Sequence, residues 1–453
     1  MTNIVLNDEQ QAYFDDIVSN IVQNHADGAF DANYLLITGK AGSGKSTLSA
    51  KLAKYFTDKP ISKYKVQCTA LTHKAKAELQ KKLASVGIKP DDMNISTVHS
   101  YFNIKAKINY KTGVEEFDVD SYAKKPKKCS LLLIDEVSMM DEALFKLVKS
   151  QKHLYETIIL IGDEFQVPPV NESNYNLFQD NNIHKFKLNN IVRQAQNNPI
   201  ILLASEIVEK IENKDYKDVS FCLKKASEYS KTTNKIEIVG NNRQLVEKYY
   251  EYVKEDIGKP IMESKFYKSF FTTFTNKTVN SLNYVAKCIY KNSNKINYLD
   301  EGDLLVMQSP AFDDFLPDVI IAQNNAEILV KKIIDDTYEN IPVYIVYFDA
   351  EAGENTLRIV KPESIDLYNA HLEKLAQRAR VDGRQWKMFY DFKKKFAEVK
   401  QAFAATLHKL QGSTVDRVFI EARDLPWNND PNLAYRLFYV SITRTSDKAV
   451  IMY

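Results

Sequence analysis

An α/β fold with two parallel-sheet domains is predicted by three observations on the sequence. Between residues 34 and 195, short Leu-rich or β-branched runs alternate with amphipathic helical stretches, the pattern of strands joined by helical crossovers. A second set of such runs lies at Phe270 to Thr275 and Arg417 to Glu421, and Lys448 to Tyr453 reads as a closing strand. Between them, Gly302 to about Val399 carries β-like runs at Asp303 to Met307, Ala326 to Ile333, Pro342 to Phe348 and Thr356 to Val360, then a charged, helix-rich stretch. That segment reads as an inserted β-rich subdomain.

Within the first α/β region, the apolar run Tyr34 to Thr38 leads directly into Gly39-Lys40-Ala41-Gly42-Ser43-Gly44-Lys45-Ser46, and a helix-like stretch, Leu48 to Phe56, follows. Strand, Gly-rich loop and helix in that order make a phosphate cradle. Gly39 and Gly44 permit the positive-φ turns that aim backbone N–H groups inward, Lys45 reaches β- and γ-phosphates, and Ser46 offers a hydroxyl to Mg²⁺. The nucleotide-binding set is Gly39, Ala41, Gly42, Ser43, Gly44, Lys45, Ser46 and Thr47, and the expected ligands are a nucleoside triphosphate and Mg²⁺.

The next buried run, Leu131 to Ile134, ends in Asp135-Glu136, which places two carboxylates at the carboxyl end of a strand, where open α/β sheets bind ligands. Asp135 is positioned to hold Mg²⁺ and Glu136 to take a proton from attacking water. After Ile158 to Ile161 comes Gly162-Asp163-Glu164-Phe165-Gln166-Val167-Pro168-Pro169. Its Gln166 amide suits a γ-phosphate or lytic-water contact, and the prolines stiffen the loop. Arg193 and Arg444, one near the end of each α/β region, are candidates for the positive charge that phosphoryl transfer needs.

A smaller insertion is expected at Phe102 to Pro126, where Lys105 to Tyr110 and Val114 to Val119 flank Lys111-Thr112-Gly113, a hairpin signal. Four widely spaced Cys without a C-x-x-C pair argue for packed thiols rather than a zinc or disulfide frame. The longest apolar runs are far shorter than the roughly 20 residues of a membrane span, and the N-terminus has no secretory-signal pattern, so a cytoplasmic protein is expected. Net charge is only +2, so any polyanion binding must rest on local clusters such as 124–128 and 393–395.

The motifs, taken in order, resemble those of superfamily 1B helicases, in particular the Dda-type helicases of T-even bacteriophages, with RecD-like and Pif1-like relatives. Leu6-Asn7-Asp8-Glu9-Gln10 resembles the Q motif, with Gln10 on the adenine edge. The P-loop, Asp135-Glu136, the Gln166 segment, Arg193 and Arg444 resemble motifs I, II, III, IV and VI. Residues 70–75 and 96–100 look like motifs Ia and Ib, Phe274-Thr275-Asn276-Lys277 like the opening of the second motor domain, and residues 406–413 like motif V, which adds Gly412 to the nucleotide set. Departures are small: Leu71 for a usual proline, Val167 for leucine and Thr445 for alanine.

The resemblance implies two RecA-like domains, 1–101 with 127–195 and 196–301 with 400–453. It also implies a pin insertion at 102–126, and an SH3-like insertion at 302–399 with a helical tower over about 364–404. It implies DNA contacts at Thr72, His73, Thr97, His99, Thr275, Asn276, Thr406, His408, Lys409 and Ser413, and a pin role in which Phe117 stacks on the end base pair. Short polar groups of this kind suit phosphate and sugar, which carry no sequence information.

The expected activity is an ATP-dependent 5′-to-3′ single-strand DNA translocase and helicase acting on single-stranded and forked DNA in replication or recombination. A monomer is expected, with a single-strand-binding protein among its partners. Two other readings stay open: an RNA helicase or RNP remodeller, because 2′-OH discrimination is not readable in these motifs, and a nucleotide-gated DNA-binding scaffold.

Overall fold

The computed structural model describes residues 5–26, 33–92, 94–109, 112, 114–120, 123–169, 176–192, 197–314, 319–350, 353–410 and 414–453. The α/β class is as the alternation predicts. Six parallel strands form the first sheet, in the order Ile95–Thr97, Lys65–Ala70, Cys129–Asp135, Tyr155–Gly162, Asn33–Gly39, His184–Leu188. Its central strands are continuous apolar runs because helices cover both faces; Cys129–Asp135 is buried at every residue. One face packs Leu35, Ile37, Leu48, Leu131 and Ile159, the other Leu36, Phe102, Leu132, Phe145 and Ile158.

The second sheet is also all-parallel, in the order Ala404–Thr406, Ser269–Thr273, Val415–Glu421, Thr445–Met452, Ile236–Val239. Helix Pro199–Glu212, capped by Asn198 with proline at its first turn, packs against helix Pro431–Thr443, which Asp430 caps in the same way. Phe165 and Val167, in the loop leaving the first sheet, are buried in the core of this second unit beside Leu203, Tyr435 and Phe438. Each such side chain contributes on the order of 1.5–3 kcal/mol of apolar burial. The two sheets are therefore joined by shared core as well as by chain.

The insertion contains the antiparallel sheet Glu327–Leu329, Leu304–Met307, Val399–Gln401, a second sheet Lys332–Tyr338, Ile341–Ala350, Gly353–Val360, and a short ladder of Ala311–Phe312 with Ile320–Ala322. Helices Ile365–Val381 and Trp386–Lys393 pack Leu375 and Phe392 against Ile341 and Val343. The helical stretch is shorter than the expected 364–404: after Lys393 the chain enters strands Val399–Gln401 and Ala404–Thr406. The first pairs with Leu304–Met307 of the insertion and the second with Ser269–Thr273 of the second parallel sheet. Three-residue strands carry too few positions for a period to show.

The smaller insertion is a hairpin of Ile104–Ile108 with Glu115–Val119, closed by Asn109 N–H donating to Val114 O at 2.9 Å. Tyr110, Lys111 and Gly113 lie outside the described residues.

Candidate active site

The strand Asn33–Gly39 ends in the Gly-rich loop, and the loop's geometry explains its glycines. Gly39, Gly42 and Gly44 have φ of 154°, 79° and 82°, values that L side chains rarely adopt. A Cβ on Gly44 would stand 2.0 Å from Gln10 Nε2 and 2.9 Å from Val192 Cγ2, and one on Gly39 would stand 2.5 Å from Leu188 O. Ser46 and Thr47 begin helix Lys45–Asp58, for which Gly44 is the N-cap. The helix start supplies unpaired N–H groups and a positive dipole end to any phosphate there.

Gln10, 2% exposed, sits at the start of helix Asp8–Ala26 and donates to Ser43 O at 3.1 Å while its Oε1 accepts from Asn7 N–H at 3.0 Å. The neighbouring Glu9 carboxylate accepts from the N–H groups of Asn189 and Asn190, both at 3.0 Å, and Val192 N–H donates to Gly42 O at 2.9 Å. The segment that leads to Arg193 is thus moored to the phosphate loop. Arg193 itself lies outside the described residues, as do Gly412 and Ser413.

Lys45 folds back on the loop, donating to Gly39 O and, at 3.0 Å, to Lys40 O, with Asp163 at 3.7 Å. Asp135 ends its strand 4% exposed. Burial raises its pKa, opposed first by the charge of Lys82. Glu136 occupies the left-handed region at φ 59°, ψ 40°, a conformation that costs a non-glycine residue about 1–3 kcal/mol and clusters at functional sites. Gln166, 6% exposed, accepts from Ser138 Oγ at 3.3 Å through Oε1.

The other wall of the cleft comes from helix Pro431–Thr443. Tyr439, fully buried, accepts from Ala41 N–H at 2.6 Å and donates to Asp163 Oδ2 at 2.6 Å. Burial, reinforced by the Asp163 charge, raises the phenol pKa well above its ordinary value. One turn earlier Arg436 donates from Nη1 to Glu164 O at 2.5 Å and Gln166 O at 2.9 Å. Arg444 ends the same helix, part-buried, with Nε donating to Val440 O at 3.4 Å. Arg436 and Tyr439 were not singled out by the sequence reasoning. The signal available was a Tyr and an Arg three apart on a helix otherwise buried from Ala434 to Ile442, where each polar head needs a partner.

The candidate nucleic-acid residues gather at helix starts and along a groove between the three units. Thr72, Thr97 and Thr275 are N-caps, accepting from the N–H groups of Ala75, Ser100 and Thr278; His73 and Asn276 open the helices after Thr72 and Thr275. Thr275 Oγ1 also donates to Asp424 Oδ2 at 2.8 Å. Asn276, Thr406 and Lys409 line a groove with Lys74, Lys400 and Gln308. Lys409 donates to Gln308 Oε1, and Lys400 to Asn276 Oδ1 at 2.8 Å. Burial, and for Lys409 the nearby Lys400 charge, lower both lysine pKa values. Lys74 meets Glu327 of the insertion at 3.3 Å, and Tyr267 donates to the same carboxylate at 3.1 Å. His408 lies in the turn Leu407–Leu410. Phe117, 59% exposed on the hairpin, has its ring 5.4 Å from that of His99, and burial lowers the His99 pKa.

A phosphate loop at the end of one parallel sheet, faced by Tyr439 and Arg436 of a helix from a second parallel sheet, defines a P-loop nucleotide site of the two-sheet class. Residues 23–172 match the AAA domain family and residues 401–452 match the UvrD-like helicase C-terminal domain. The ATP-dependent DNA helicase dda of Enterobacteria phage T4 is 28% identical, the alignment covering 91% of this chain and 92% of that protein. Protein R530 of Acanthamoeba polyphaga mimivirus is 24% identical over 92% and 94% of the two chains. The RecBCD subunit RecD of Haemophilus influenzae is 30% identical, over 31% of this chain and 23% of its own. Among solved structures, Pif1 helicase from Candida albicans aligns over 99% of this chain and 94% of its own, at 16% identity and TM-score 0.49. The sequence matches to dda and RecD bear out the resemblance to superfamily 1B helicases.

Proposed function

We propose that this protein is an ATP-dependent DNA helicase that moves along single-stranded DNA in the 5′-to-3′ direction and splits duplex DNA at a fork. The observation that carries the reading is the bond from Tyr439 on one motor unit to Ala41 in the phosphate loop of the other. It makes the nucleotide site a joint property of two units that also border one lysine-lined groove. The near-full-length relationship to dda supports the DNA and ATP assignments; polarity follows from the motif resemblance alone.

In this reading, Gly39, Ala41, Gly42, Ser43, Gly44, Lys45, Ser46 and Thr47 hold the phosphates, and Gln10 reads the adenine after releasing Ser43 O. Ser43 Oγ is buried without a hydrogen-bond partner among the described residues, which fits a polar ligand in the loop. Mg²⁺ fits Ser46 and Asp135, a hydroxyl and a carboxylate that share one ammonium, that of Lys82, so the pair already faces a cation. When bound, the ion neutralises charge on the β- and γ-phosphates.

Glu136, fixed in its left-handed conformation, takes the proton of the attacking water, and Gln166 orients that water. Arg193 and Arg444 stabilise the charge that develops as the terminal phosphate leaves. Arg436, which holds the backbone of Glu164 and Gln166, passes the change in that loop to the second unit. Thr72, His73, Thr97, His99, Thr275, Asn276, Thr406, His408, Lys409 and Ser413 contact the DNA backbone, Gly412 joins the nucleotide site, and Phe117 stacks on the terminal base pair. Domains at 1–101 with 127–195 and at 196–301 with 400–453 would form the motor, with the pin at 102–126 and the SH3-like insertion at 302–399. A monomer in the cytoplasm, working with a single-strand-binding protein, completes the proposal.

ATP hydrolysis measured with and without single-stranded DNA or RNA, together with strand displacement on partial duplexes bearing a 5′ or a 3′ tail, tests it. The reading requires stimulation by DNA and displacement from the 5′ tail. No stimulation by either polynucleotide would sink the motor reading.

A further inference from the structure

Lys82 lies in the last turn of helix His73–Ser85, with its ammonium inside the nucleotide cleft. Nζ donates to Ser46 Oγ at 2.8 Å and stands 3.6 Å from Asp135 Oδ2. Those two oxygens are the pair assigned to Mg²⁺. Asp135 is nearly inaccessible, and a carboxylate taken out of water is unfavourable unless a cation faces it. The Lys45 ammonium is turned to other partners, the Lys40 carbonyl at 3.0 Å and Asp163 at 3.7 Å.

We propose that the Lys82 side chain occupies the divalent-cation position between Ser46 and Asp135 in the nucleotide-free protein and leaves it when a metal–nucleotide complex binds. The proposal rests on the nucleotide-binding reading above. An ammonium and a divalent ion cannot share two ligands at such distances without strong repulsion. Lys82 has a route out, since its side chain is 34% exposed whereas that of Asp135 is 6% exposed. Its helix starts at Thr72 and His73, which the proposed function places on the DNA. Release of Lys82 therefore loosens the far end of an element whose near end faces the polynucleotide. In the empty protein the lysine keeps metal alone from settling in the site, so the ion enters with its phosphates.

Titration of nucleotide-free protein with Mn²⁺, followed by electron paramagnetic resonance, tests this on wild type, Lys82→Met and the double variant Lys82→Met/Asp135→Asn. The methionine variant should bind one Mn²⁺ about tenfold or more tightly than wild type, because the competing charge is gone. The double variant should return to weak binding. Thermal melting gives a second reading: without metal the Lys82→Met protein melts below wild type, and Mg²⁺ alone restores it while leaving wild type unchanged. Equal Mn²⁺ affinity in wild type and Lys82→Met, or a tightened site that survives Asp135→Asn, would overturn the proposal. Lys82→Gln supplies the same comparison should the methionine variant not fold. Failure of the nucleotide reading is separately visible, as wild type would then not bind Mg·ADP.

Discussion

The Tyr439 hydroxyl stands between Ala41 and Asp163, taking the N–H of one and donating to the carboxylate of the other, each at 2.6 Å. Two residues of one motor unit are thereby bridged by a single atom of the other. Tyr439→Phe leaves a buried carboxylate oxygen and a part-buried N–H without that partner, a loss of about 1–3 kcal/mol. Denaturant unfolding of the nucleotide-free protein should report it. The same variant should lose more of its DNA-stimulated than of its basal ATP hydrolysis, because the bridge joins the units.

Lys45→Ala should abolish ATP turnover and strand displacement while leaving most single-strand binding intact. The groove residues Lys74, Lys400 and Lys409 are on other elements. Fluorescence anisotropy with a labelled oligonucleotide, beside an ATPase assay, separates the two.

Arg436→Lys keeps the charge but loses the rigid guanidinium whose Nη1 reaches Glu164 O and Gln166 O together. Turnover should fall by roughly tenfold with little change in nucleotide affinity, since the Gln166 loop loses its anchor rather than the phosphates their ligands. Steady-state kinetics give kcat and KM in one experiment.

Glu327 neutralises Lys74 in the groove. Glu327→Gln frees one cation for phosphate, so single-strand affinity should rise a few-fold and its dependence on salt should steepen by about one counterion. Binding isotherms at several salt concentrations check both.

Phe117→Ala removes an exposed aromatic face. An aromatic of this kind contributes about 1–3 kcal/mol per stacked base, so duplex unwinding should drop further than single-strand-stimulated ATP hydrolysis. Equal losses in the two assays would argue that Phe117 only packs against His99.

The parts of the site that the sequence made legible are those written locally. Gly39 to Ser46 and Asp135-Glu136 sit where a buried strand ends, so residue type and an apolar run are enough to find them. Tyr439, Arg436 and Lys82 act on groups brought near only by folding; Tyr439 and Ala41 are 398 positions apart in sequence. A lysine in the last turn of an amphipathic helix reads as a solvated end, and nothing in its neighbours announces the hydroxyl of Ser46. The fold shows the same division. Central strands such as Cys129–Asp135 and Tyr155–Gly162 stand out as apolar runs, whereas Ile95–Thr97, Val399–Gln401 and Ala404–Thr406 are too short to signal themselves and take their place from partners.

Only two residues, Ala402 and Phe403, separate the last residue paired in the insertion sheet from the first paired in the motor sheet. Both are buried, and Asn283 Oδ1 accepts from the N–H groups of Phe403 and Ala404 at 3.1 and 2.8 Å. A joint so short and so firmly held has no slack. The joint fixes the insertion to the second sheet as a crank is fixed to its shaft, so a turn of one would be carried to the other.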